Sequence, residues 1–147
     1  MRISEFLSPG DVMVDVRASD KRVLLRELAR KAASTHKLTE DDVSAELLKR
    51  EELGSTGMGN GVAIPHARIE KVMKPLGLLA KLKQPIDFDA IDGQRVDLVF
   101  VLLLPRTAED GQLGALASVA RKLRTPEALA QLRRAGNAAE LYSAIAG

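Results

Sequence analysis

The chain has 147 residues, 46% hydrophobic and 29% charged, a length and balance that suit one domain (1–147) with a single buried core and argue against disorder or a fibrous repeat. Its formal net charge is only +2, and Lys and Arg are interspersed with Asp and Glu, so no nucleic-acid partner is expected. With no Cys, disulfides, thiolate metal sites and Cys nucleophiles are excluded, and a reducing compartment, the cytoplasm, is the expected location. No stretch has signal-peptide character or approaches the ~18 consecutive apolar residues of a membrane span, so a soluble protein without membrane insertion is expected.

Val12, Val14 and Val16 alternate as in a half-buried strand. Val23, Leu24, Leu28, Ala29 and Ala32 then recur at helical spacing, which predicts a surface helix capped by Ser19 and running to about Thr35. His36, at its end, reads as a solvated residue favoured by the helix C-terminus, and with only two His in the chain no metal site and no cofactor are expected. Thr39-Glu-Asp-Asp42 has the shape of a capping box and opens a second helix over roughly 40–53, broken by Gly54.

A glycine-rich run leads into Val62-Ala-Ile64, a short β-type segment closed by Pro65, which leaves His66 at a loop and strand junction. Leu76 to Lys83 and Val96 to Leu104 predict further strands. The second is so continuously apolar that it should be central and covered on both faces. Asp92-Gly93 marks a turn and Pro105 ends the central strand. Leu113, Leu116, Ala117, Ala120 and Leu123 carry a helical stripe; Thr125-Pro126-Glu127 caps another helix and Asn137 opens a last one. The order predicts an α/β fold, a single mixed β-sheet covered by helices.

The chemistry is concentrated in Gly54-Ser-Thr-Gly-Met-Gly-Asn-Gly-Val-Ala-Ile-Pro-His66. Four glycines can repeatedly adopt φ > 0 and leave amides uncovered, and successive exposed amides make a concavity suited to an anion. Neither familiar nucleotide pattern fits: Gly54-x-x-x-x-Gly59 is followed by Asn60 rather than Lys, and Gly57-x-Gly59-x-Gly61 lacks the dinucleotide spacing. What remains is an amide-rich loop beside an imidazole, the combination needed if an anion is covalently attached to His66, since a neutral His nitrogen is a competent nucleophile near pH 7. The residues alone leave the plainer alternative open, in which His66 is a turn residue and the glycines only shape a tight connection.

The stretch Arg50-Glu-Glu-Leu-Gly-Ser-Thr-Gly-Met-Gly-Asn-Gly-Val-Ala-Ile-Pro-His66 resembles the active-site signature of the fructose/mannitol-type Enzyme IIA domains of the phosphoenolpyruvate-dependent phosphotransferase system, and Pro85-Ile-Asp-Phe-Asp-Ala-Ile-Asp-Gly-Gln-Arg-Val-Asp-Leu-Val-Phe100 is similar to the nitrogen-regulatory branch of that family. The resemblance implies the fold of those domains, a phosphoryl group accepted on His66 from a histidine phosphocarrier protein, and a phosphotransferase component that carries it transiently and signals to regulated target proteins. It also implies an active-site role for Arg50, whose guanidinium can pair with phosphoryl oxygens in a bidentate manner. Ser55 and Thr56 are further candidates through their hydroxyls, and Gly59, Asn60 and Gly61 through their amides.

One departure is Gly111-Gln112-Leu113, where the family usually carries a second active-site histidine. Gln112 can still donate a hydrogen bond from its amide, so transfer slowed rather than abolished is the expectation. Two alternatives stand beside the regulatory reading: a sugar-specific Enzyme IIA that passes the phosphoryl group to an Enzyme IIB, and an interaction module independent of phosphorylation. A homodimer is left open.

Overall fold

The computed structural model describes residues 1–107 and 110–147, with 110–113 described as backbone only. Two short 3-10 turns, Ile3–Glu5 and Pro9–Asp11, precede β1 (Val12–Val16), α1 (Lys21–His36) and α2 (Glu40–Leu53). Then come β2 (Gly57–Gly59), β3 (Val62–Ala63), β4 (His66–Arg68), β5 (Leu76–Ile86), β6 (Val96–Leu104), α3 (Asp110–Leu123), α4 (Pro126–Arg134) and α5 (Ala138–Ala146).

The strands form one mixed sheet in the order β1-β5-β6-β3-β2, with β4 also on β6. β1 runs parallel to β5 and β5 antiparallel to β6; β3 and β4 both run parallel to β6 along the same edge. β3 and β4 keep one register, Val62 opposite Leu98 and His66 opposite Leu102, so the segment is a single extended run interrupted where Pro65 has no N–H to give. Its carbonyl still accepts from Leu102 N at 2.9 Å.

Side chains of β6 alternate between two apolar layers, as strand pleating requires. Val99, Val101 and Leu103 pack under α1 and α2 with Leu24, Leu28, Val43 and Leu47, whereas Leu98, Phe100, Leu102 and Leu104 pack with Val119, Leu132, Leu141 and Ile145 of α3, α4 and α5. The central, doubly covered strand expected from the sequence is found. No helix among the described residues is long and apolar enough to cross a membrane.

Local signals were less faithful than the periodicity. Asp20, not Ser19, caps α1, its carboxylate accepting from Val23 N at 2.9 Å. Thr39 and Thr125 occupy N-cap positions without a side-chain cap bond, and the Thr125 hydroxyl donates to Arg121 O instead. Asn137 does cap α5, accepting from Glu140 N at 2.9 Å. His36 is no solvated terminus: its Nε2 lies 2.8 Å from Oδ2 of Asp11, a carboxylate only 1% exposed. This pair joins the C-terminus of α1 to the entry of β1.

Candidate active site around His66

His66 is half-buried and opens β4. Its Nδ1 lies 2.9 Å from Ile64 O. A carbonyl can only accept, so Nδ1 carries the proton and the lone pair of the neutral ring is on Nε2. The sequence produces this geometry locally, because the imidazole two residues on reaches back to the Ile64 carbonyl.

A cleft of roughly 470 Å³ opens beside His66, lined by Glu46, Lys49, Arg50 and Leu53 of α2, by Ala67 and Arg68 of β4, and by Leu104, Arg106 and Leu116. Arg50 comes from the last turn of α2, where its Nη1 donates to Gly54 O at 2.9 Å, satisfying a carbonyl that the helix end leaves unpaired. Arg68 Nη1 donates to Pro105 O at 3.0 Å, and Arg106 lies 3.5 Å from Glu46. Among the described residues, four cationic side chains and one carboxylate share the cleft with His66, an arrangement suited to a dianionic group.

Sequence reasoning reached Arg50 and missed Lys49, Arg68 and Arg106. Arg68 is two residues beyond His66 on an extended strand and hence on the same face, a signal that becomes readable only once 66–68 is known to be a strand. Arg106 follows β6, whose end is beside that of β4 because Arg68 pairs with Leu104.

The side chains of Ser55 and Thr56 are engaged with other partners. The Ser55 hydroxyl donates to Phe88 O at 2.6 Å and accepts from Gly57 N at 3.0 Å. Both the amide and the hydroxyl of Thr56 donate to the Glu51 carboxylate. Gly59, Asn60 and Gly61 are not an open loop at all but the tip of a hairpin between β2 and β3, with φ of 58° at Asn60 and 79° at Gly61. Gly59 is also at positive φ, 100°, and the Asn60–Gly61 pair matches the tight two-residue turns that suit antiparallel strands.

The tip is held by groups distant in sequence. Asn60 N donates to Asp92 Oδ2 at 2.9 Å, and Asn60 O accepts from Arg133 Nη2 at 2.6 Å, while Arg133 also pairs with Asp97. The Asn60 amide, followed by that of Gln94, holds the Asp92 carboxyl below the usual carboxylate range. Gly61 O accepts from Asp97 N and Leu98 N, placing the tip level with Leu98, whereas His66 is level with Leu102. Four residues of strand separate them by about 13 Å at ~3.3 Å per residue. The structure thus does not bring Gly59, Asn60 or Gly61 to His66, and the amide cradle expected around the imidazole is not formed there. The Gln112 side chain lies outside the described residues.

This relocation changes what glycine substitutions should do. A Cβ on Gly61 would meet Arg133 Nη2 at 2.5 Å and Asp97 Oδ1 at 2.9 Å, on a backbone already at positive φ. Gly61→Val is therefore expected to destabilise the fold by about 1–3 kcal/mol in denaturant melts. An unfolding midpoint equal to that of the parent chain would show that the tip accommodates a side chain at this position.

Residues 5–147 match the family described as phosphoenolpyruvate-dependent sugar phosphotransferase system, EIIA 2. The chain is 43% identical over 146 residues to a nitrogen regulatory protein of Bradyrhizobium diazoefficiens, covering 99% of this chain and 95% of that one. It is 38% identical to a nitrogen regulatory protein of Pseudomonas aeruginosa, with 99% of this chain and 95% of that protein covered. Among solved structures, the nitrogen regulatory protein IIA-Ntr of Neisseria meningitidis superposes with a TM-score of 0.91 at 34% identity, covering 97% of this chain and 98% of that one. A match that runs through the signature, the sheet and the helices alike leaves one assignment: this chain belongs to the EIIA 2 family of the phosphoenolpyruvate-dependent sugar phosphotransferase system.

Proposed function

We propose that this chain accepts a phosphoryl group on Nε2 of His66 from a histidine phosphocarrier protein and acts in the cytoplasm as a regulator read through its phosphorylation state. The observation that carries the reading is the bond from His66 Nδ1 to Ile64 O, which leaves Nε2 as the ring's lone-pair nitrogen at a cleft lined by Arg50, Arg68, Arg106 and Lys49. In the transfer, the Nε2 lone pair forms a new N–P bond as the donor's P–N bond breaks, and that bond's electron pair returns to the donor imidazole. Nδ1 keeps its proton throughout. Its hydrogen bond to Ile64 O strengthens as positive charge grows on the ring, so the carbonyl favours the product as well as orienting the nucleophile. The lining cations offset the incoming negative charge, Arg50 being the side chain with a bidentate fork on the helix nearest the signature.

The regulatory side of the reading is supported by full-length relatives named nitrogen regulatory proteins. Incubation with phosphoenolpyruvate, Enzyme I and a histidine phosphocarrier should add the mass of one phosphoryl group, lost in acid and kept in base. No gain in mass, or an acid-stable adduct, would overturn the proposal.

A further inference from the structure

Glu51 directly follows Arg50 on α2 but turns away from the cleft, and its side chain is only 4% exposed. A buried carboxylate needs partners to offset its desolvation. Among the described residues Glu51 accepts from three donors: Lys21 Nζ at 3.0 Å, Thr56 N at 3.1 Å and the Thr56 hydroxyl. Lys21 is itself held, 3.6 Å from Asp89 and 4.7 Å from the centroid of the Phe88 ring.

The chain of contacts continues to the imidazole. Thr56 O accepts from Ile64 N at 3.1 Å, extending the β2–β3 ladder by one residue, and Ile64 O is the acceptor of His66 Nδ1 at 2.9 Å. The next carbonyl, that of Pro65, is fixed from the other side by Leu102 N at 2.9 Å. Ile64 is therefore clamped between Thr56 and β6. The first of these holds rests on Thr56, which the Glu51 carboxylate grips at both amide and hydroxyl.

We infer that Glu51 is a positioning residue for His66: by gripping Thr56 at both amide and hydroxyl it fixes the Ile64 carbonyl that keeps the imidazole proton on Nδ1. The inference rests on the proposed function for its kinetic consequence but not for its structural one. Among the described residues Glu51 does not line the cleft, and its effect is on which ring nitrogen is free.

The test reads the His66 ring in a two-bond proton–nitrogen spectrum of the unphosphorylated chain, alongside the rate of phosphoryl uptake, for Glu51→Ala, Thr56→Val and Thr56→Ser. In the wild type His66 is expected in the Nδ1–H form. Glu51→Ala and Thr56→Val should admit the Nε2–H form and slow uptake by about fivefold, the rate equivalent of one ordinary hydrogen bond, and Thr56→Ser should restore both. A lost fold alone would not produce a tautomer change in a well-dispersed spectrum. Should Glu51→Ala fail to fold, Thr56→Val decides, since it keeps the Lys21 pair and the amide bond to Glu51. Folded variants with wild-type ring signals and rates would overturn the inference. A tautomer shift in variants of a chain that never takes up phosphoryl would sustain the positioning and overturn the proposed function.

Discussion

His66→Ala is expected to abolish phosphoryl uptake while leaving the fold in place. The imidazole is half-buried at the start of β4, and among the described residues its ring hydrogen-bonds to Ile64 O, so truncation should cost stability by only about 1 kcal/mol. Chemistry has no substitute for it. The other imidazole, His36, has its Nε2 engaged 2.8 Å from Asp11 on the α1–β1 junction, and Ser55 Oγ is committed to Phe88 O and Gly57 N. Uptake assayed by intact mass should fall below detection, with an unfolding midpoint close to that of the parent chain. A variant that still gains a phosphoryl group would move the site to another residue.

The largest effect on stability is expected at Phe100. Its ring is fully buried on β6, meets Phe6 edge-on with centroids 6.3 Å apart, and covers Gly77, where a Cβ would come within 2.7 Å of the ring. Glycine at 77 and phenylalanine at 100 are thus one fitted pair, and removing the ring leaves a cavity that a glycine cannot fill. Phe100→Ala should destabilise the protein by about 3–5 kcal/mol, lowering the melting temperature by on the order of 10 °C for a domain of this size. Phe100→Leu should recover part of the loss. A melting temperature within a degree or two of the parent would mean that the layer under α3–α5 contributes far less than its burial implies.

What the sequence revealed and what it concealed follow the range of the interactions. The α1, α2 and β6 segments are written in local apolar periodicity, and the structure has them within a residue or two of their expected limits. His66 and Arg50 stand out because the signature around them is long. The glycine run misleads because its backbone looks uncovered in sequence; at Asn60 the amide donates to Asp92, 32 residues away, and the carbonyl accepts from Arg133, 73 residues away. Likewise the partner of His36, Asp11, is 25 residues away in sequence. Lys49, Arg68 and Arg106 are ordinary surface cations until the register of β4 against β6 gathers two of them, and the end of α2 the third, around one imidazole. At the start of α1 the cap is Asp20, one residue beyond the expected Ser19, a difference of one residue of helix length.

The central claim is that His66 is the acceptor and that its Ile64 contact selects the nitrogen. Phosphorus–nitrogen coupling in the phosphorylated, nitrogen-15-labelled chain measures this directly. The structure predicts a single phosphohistidine, on His66, with phosphorus bonded to Nε2 and the proton retained on Nδ1. Phosphorus on Nδ1 of His66, or on any other residue, would contradict the account.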